Sequence, residues 1–180
     1  MRITRVFLLV WTGLLCLGQS VAADPVQWTA NGHYYDIVGW PTAVYWPEAR
    51  DLASGMTWQG CQGHLATITT PEEQAFLQQT FGVYMDMCWL GGYQDPRESP
   101  PAENWHWVTG EPWIYTNWRS TWPPEPNDSG GGEFYLEVHG GANQTWNDVG
   151  DVQRPFMVEY ESAPTPSRET TWGRVKALYR

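Results

Sequence analysis

Two short stretches, E-P-N-D-S-G-G-G-E from Glu125 and W-N-D from Trp146, collect four carboxylates and two side-chain amides: Glu125, Asn127, Asp128 and Glu133 in the first, then Asn147 and Asp148 in the second. Pro and Gly keep the first stretch from being regular helix or strand. Like charges packed this closely repel, so the loop is either splayed into solvent or held together by something cationic. Every donor is a hard oxygen, the kind of which a calcium ion takes about six to eight. Zinc chemistry lacks its ligands, because His33, His64, His106 and His139 are scattered without paired ligand spacing. A pair of acids such as Glu125 and Glu133 also suits glycoside hydrolysis. That chemistry leaves Asn127, Asn147 and Asp148 without a role.

The elements that must position these residues are short. Strand-like runs bounded by Gly, Pro or Asn begin at His33 (H-Y-Y-D-I-V), Trp89 (W-L-G-G-Y), Trp105 (W-H-W-V), Phe134 (F-Y-L-E-V) and Pro155 (P-F-M-V-E-Y). In the last, Phe156, Val158 and Tyr160 alternate with Met157 and Glu159, the pattern of a half-buried antiparallel strand. From Pro47 to Met56, the residues Ala49, Leu52, Ala53 and Met56 predict one buried helical stripe. Thr70-Pro71-Glu72-Glu73 predicts a capped helix start with Pro at the first position, running through Phe76, Leu77 and Phe81. Residues 94–132 hold seven of the 14 Pro and show no helical stripe, and a loop region of that length inside a compact domain is usually functional.

Arg2 and Arg5, an apolar run from Val6 to Leu17, and V-A-A-D predict a secretory signal peptide over residues 1–23, cleaved after Ala23. The run has 12 residues, too few for a transmembrane segment, which needs about 18 to 20. The 157 residues that remain carry 8 Lys and Arg against 20 Asp and Glu, which disfavours nucleic acid as a partner. They divide into one domain over 24–161 and a linker with a basic tail over 162–180, whose Trp172, Val175 and Leu178 fall at helical spacing. Secretion puts Cys61 and Cys88 in an oxidising space, where a disulfide between them is the expectation and two free thiols the alternative.

Two helices followed by short strands, a long irregular loop, E-P-N and W-N-D in that order resemble a C-type lectin-like domain over most of residues 31–161. G-H-L-A-T-I from Gly63 is similar to that family's strand after the first helix, Trp89-Leu90-Gly91 to its W-I-G core motif, and V-T-G-E-P-W-I-Y-T-N-W from Val108 to the stretch that leads into its calcium loop. The resemblance implies an α+β fold with two helices, small antiparallel sheets and a long calcium-binding loop region. It implies one Ca2+ held by Glu125, Asn127, Glu133, Asn147 and Asp148, with a cis Glu125-Pro126 bond aiming two of them at one point. Asp128, with Asp95, Glu98 and Glu103 upstream, corresponds loosely to a second calcium site found in some members.

The same five residues would bind sugar, exchanging water on the ion for two neighbouring hydroxyls. In the family E-P-N goes with equatorial 3- and 4-hydroxyls, which implies a mannose-type glycan as partner and no catalysis. Trp122 is a candidate for stacking on the sugar face. Weak single-site binding would call for self-association. Asn127-Asp128-Ser129 is also a glycosylation sequon, and a glycan there would block the site, which points to a host such as a bacterium that leaves it unmodified. Two departures stand out: Val158 and Tyr135 occupy positions where the family places disulfide cysteines.

Overall fold

The computed structural model describes residues 24–39, 43–97, 99–141 and 143–161. The predicted signal peptide (1–23), the basic tail (162–180) and Glu98 lie outside them. In chain order the elements are β1 (Val26–Gln27), β2 (Tyr34–Val38), α1 (Trp46–Gly55), β3 (Thr57–Trp58), β4 (Cys61–Leu65), α2 (Pro71–Phe81), a 3-10 turn (Gly82–Met85), β5 (Trp89–Gln94), β6 (Trp105–Trp107), β7 (Tyr135–Val138), β8 (Trp146–Val149) and β9 (Phe156–Glu161).

The strands join into one nine-stranded sheet rather than separate small ones, because β9 pairs antiparallel with both β2 and β4 and meets β5 in a parallel contact at Trp89 and Phe156. That central place corrects the half-buried reading of β9. Met157 and Glu159 are as buried as Phe156, Val158 and Tyr160. Phe156, Val158 and Tyr160 pack with Ala49 and Ala53 of α1, while Met157 joins a second cluster with Tyr35, Leu90, Trp107 and Trp146. Glu159 is tolerated inside because it accepts hydrogen bonds from Tyr35 Oη at 3.0 Å, Thr67 N at 2.9 Å and Thr67 Oγ1 at 3.1 Å, and pairs with His33 Nδ1 at 2.6 Å.

Both predicted helices form, with adjustments that packing explains. In α1 the buried stripe is Trp46, Ala49 and Ala53; Leu52 faces outward and Met56 is the C-cap. The Trp46 indole fixes that rotation by donating to the Leu90 carbonyl at 2.8 Å. In α2, Thr70 Oγ1 accepts from Glu73 N at 3.1 Å, the predicted cap. The Glu73 carboxylate turns away from the Thr70 N–H, accepting from Thr69 N at 2.9 Å and from the buried Tyr35 hydroxyl at 2.6 Å.

The expected Cys61–Cys88 disulfide is corrected: both are free thiols. Gln62 pairs with Glu161 at one end of β9 and Trp89 with Phe156 at the other. Their partners are thus five residues apart on β9, roughly 16 Å at the rise of a strand, against about 4 to 7 Å between the Cα atoms of a disulfide. Non-covalent packing stands at the two positions where the resemblance implies cysteines. Tyr135 stacks on Trp46 with ring centroids 4.7 Å apart and planes 12° from parallel, and Val158 packs with Ala49 and Ala53. Burial pushes the Cys88 thiol up to about 12, which makes it unreactive while folded. Alkylation without reductant is therefore expected to modify Cys61 first and Cys88 only after denaturation. A mass spectrum of unreduced, denatured protein showing no alkylation would contradict this.

Candidate functional site

The loop carrying E-P-N-D is held to the W-N-D strand by its backbone before any side chain acts. Trp146 N donates to Asn117 O at 2.7 Å, Arg119 N to Trp146 O at 3.0 Å, and Glu125 N to Arg119 O at 2.8 Å. The Glu125-Pro126 bond is cis, as the family resemblance implies. Past Asp128, the glycines at 130, 131 and 132 take positive φ values of 83°, 77° and 113°, a path open to glycine at little cost. It lets Asp128 Oδ1 accept from Gly132 N at 2.6 Å and from Glu133 N at 2.9 Å.

Asp148, fully buried on β8, is the hub. Its two oxygens accept from Asn127 N at 3.0 and 3.1 Å and from Asp128 N at 2.7 Å. Glu125 accepts from Arg119 Nη2 at 2.8 Å and from Asn127 Nδ2. Glu133 accepts from Ser129 N at 2.6 Å, and Asn147 Nδ2 donates to Glu137 Oε1 at 3.1 Å. The five residues expected to share an ion thus come from one loop and one strand. Asp128 lies among them. Asp95 instead lines a separate cleft with Arg50 and Arg97. Trp122 is 91% exposed, free of core packing.

Two of the carboxylates here, Glu125 and Glu133, are protonated more readily than usual. Burial pushes Glu125 up to about 7, the charge of Asp148 adds to the rise, and the Arg119 guanidinium opposes it. Glu133 is also raised, first by burial; the Ser129 N–H offsets some of this, and Asp148, Asp128 and Glu137 raise it further. Asn127 Oδ1 is buried without any hydrogen-bond partner. An unpartnered buried acceptor beside repelling carboxylates fits a hard cation. Among the described residues, no three His, Cys, Asp or Glu side chains are drawn into a metal-ligand cluster; each carboxylate is held by an N–H donor instead.

Arg119 and the pair Glu137–Arg154 belong to this site and escape the motif reading. Arg154 Nε donates to Glu137 Oε2 at 2.6 Å, and Glu137 in turn receives Asn147. The available signal was charge: Arg119 is the one Arg or Lys between positions 98 and 153. Only opposite charge makes that position useful in so acidic a segment.

Residues 56–157 match the family model described as the Lectin C-type domain. Halomucin of Haloquadratum walsbyi is 31% identical over 165 residues, which covers 84% of this chain and 2% of halomucin. The chain spans about half or less of the curated relatives it matches. Among solved structures, the cow C-type carbohydrate-recognition domain of CD23, determined in the presence of a GlcNAc2Man3 oligosaccharide, aligns with a TM-score of 0.57 and 25% identity over 73% of this chain and 90% of that one. A calcium-independent type II antifreeze protein aligns with a TM-score of 0.58 and 22% identity over 78% of this chain and 96% of that one, which shows the fold alone. With the two helices, the cis Glu125-Pro126 bond and the loop joined to W-N-D, the matched span leads to one conclusion: the chain belongs to the C-type lectin domain family.

Proposed function

We propose that the chain is a secreted, calcium-dependent carbohydrate-binding module without catalytic activity, taking mannose-type sugars through Glu125, Asn127, Glu133, Asn147 and Asp148. The observation that supports the reading is the buried, unpartnered Oδ1 of Asn127, a residue whose Nδ2 donates to Glu125 and whose backbone N donates to Asp148. Bound calcium would supply a positive charge that offsets the carboxylates and holds two sugar hydroxyls. In this reading the chain's own residues orient those hydroxyls, with Glu125 and Glu133 accepting and Asn127 and Asn147 donating. Trp122 offers its exposed ring to the sugar face.

Calorimetric titration of calcium, with and without mannose, tests the proposal. At a calcium concentration of about 100 times Kd, the domain gains about 2.7 kcal/mol. The gain is expected to shrink as pH falls through about 7, where Glu125 takes up a proton. Exchanging Glu125→Gln with Asn127→Asp conserves charge and size while swapping donor and acceptor sides, so calcium is retained and the preference for mannose over galactose weakens or inverts. An unchanged sugar profile would show that these two residues do not read the sugar.

One observation favours a second reading, a module that binds a protein or other non-sugar partner. Arg119 and backbone N–H groups already hold the acidic loop together. Equal melting temperatures with calcium and with chelator, and no heat from mannose, would select it.

A further inference from the structure

Residues 24–161 contain four Arg and no Lys, against 19 Asp and Glu. Arg119 is committed to Glu125 at 2.8 Å and Arg154 to Glu137 at 2.6 Å. The other two, Arg50 and Arg97, line the same cleft, of about 540 Å³, between the start of α1 and the ends of β5 and β7. Its floor is aromatic: Trp46 lies against Tyr135 at 4.7 Å and Tyr93 at 5.7 Å between ring centroids. The Arg97 guanidinium sits over the Phe134 and Tyr135 rings at 5.2 and 5.4 Å and donates to the Tyr135 hydroxyl at 2.6 Å, so these contacts leave its charge unneutralised. Among the described residues Arg50 forms an ion pair only with its neighbour Asp51, at 2.7 Å, with both side chains about half or more exposed, and its guanidinium lies over the Trp46 ring at 5.9 Å. Such a pair holds its arginine weakly.

We propose that this cleft is a second glycan site, selective for a sugar that carries a single anionic group, a uronate carboxylate or a sulfate ester. Arg50 and Arg97 engage the anion, Tyr93 forms the apolar floor beneath the ring with the buried Trp46 behind it, and Asp95 accepts from a ring hydroxyl. A bare inorganic anion would leave the floor and Asp95 unused, and the volume is of the size that holds a small organic ligand. A polyanion is disfavoured because 19 acids surround two available cations. The proposal rests on the carbohydrate reading for its ligand class, but uses none of the residues assigned to calcium.

Titration in EDTA separates the two sites. The probes are methyl glucuronide, glucose 6-sulfate, neutral methyl glucoside and inorganic sulfate, read by tryptophan fluorescence and calorimetry. At least one of the two anionic sugars is expected to bind at least about tenfold more tightly than methyl glucoside and than inorganic sulfate, since a hydrogen-bonded charge contributes on that scale. Comparison of the two anionic sugars tells uronate from sulfate. Arg50→Gln, a change at an exposed position, and Arg97→Gln are each expected to weaken binding about tenfold while leaving calcium uptake unchanged. Undiminished binding in Arg50→Gln, equal affinity for methyl glucoside, or inorganic sulfate binding as tightly as the sugars overturns the proposal. Absence of mannose binding with calcium present, while the anionic sugar still binds, would count against the calcium reading and leave this site standing.

Discussion

Trp146→Ala is expected to destabilise the domain by about 3 to 5 kcal/mol, the range for deleting a large buried aromatic. The indole is fully buried and packs edge-on against Trp107, Tyr115 and Trp118 at 5.5 to 5.8 Å between centroids, with Trp113 tilted beside it at 5.8 Å. Its Nε1–H donates to Gln74 Oε1 at 2.9 Å, so Trp146→Phe fills some of the space but strands a buried amide, at about 1 to 3 kcal/mol. Because the Trp146 backbone also bonds Asn117 and Arg119, the alanine variant should lose calcium affinity along with stability. Urea unfolding followed by calcium titration reads both effects. A loss under about 1 kcal/mol would mean that the tryptophan cluster repacks around the gap.

The second large effect is on pH dependence, and its source is the interior pair Glu73 and Glu159. Both carboxylates lie within hydrogen-bond distance of the Tyr35 hydroxyl, at 2.6 and 3.0 Å, whose single proton serves one of them at a time, and both residues are 2% exposed. Burial, then the charge of Glu159, pushes Glu73 up to about 7 from 4.5. Folded protein therefore keeps this proton at pH values where the unfolded chain has released it. The stabilisation is fully present below about 4.5 and is lost as pH rises through about 7, a change of about 3 kcal/mol. His33, raised mainly by its bond to Glu159, acts in the same direction. Unfolding free energies measured in chelator from acid to neutral pH should fall with rising pH, and Glu73→Gln should flatten that slope. Parallel profiles for wild type and variant would show that Glu73 ionises like an exposed glutamate.

What the sequence displays well is whatever is decided locally or in strict order. Thr70 caps α2 because its hydroxyl needs only the N–H three residues on. The order of G-H-L-A, W-L-G, E-P-N and W-N-D carries the fold, and the structure brings the last two together. What stays hidden depends on register and on which faces become covered. Glu159 reads as the outward member of an alternating strand until β9 is placed between β2 and β4. Cys61 and Cys88 read as a pair until their strands meet β9 at opposite ends. Leu52 fits the helical stripe as well as any core residue, and the Trp46 indole's bond to Leu90 turns it outward. Arg119 lacks a motif, and its meaning depends on the position of Glu125 in space.

The edge of the sheet formed by β1, β2 and β9 has a mechanical consequence. The described chain enters at Val26, which pairs with Tyr35, and Tyr35 pairs with Glu159, two residues before β9 ends at Glu161. The two ends therefore emerge about two strand spacings apart, roughly 10 Å, the arrangement that lets a module be spliced into a longer polypeptide with little disturbance. Because β1 and β9 run in the same direction, a pull on both ends acts along these strands rather than across them. Hydrogen bonds loaded that way share the force and are expected to give together, and no disulfide between Cys61 and Cys88 is present to hold the strands afterwards. Within a tensioned polymer such a module would hold its length until this edge shears, and then release it in one step.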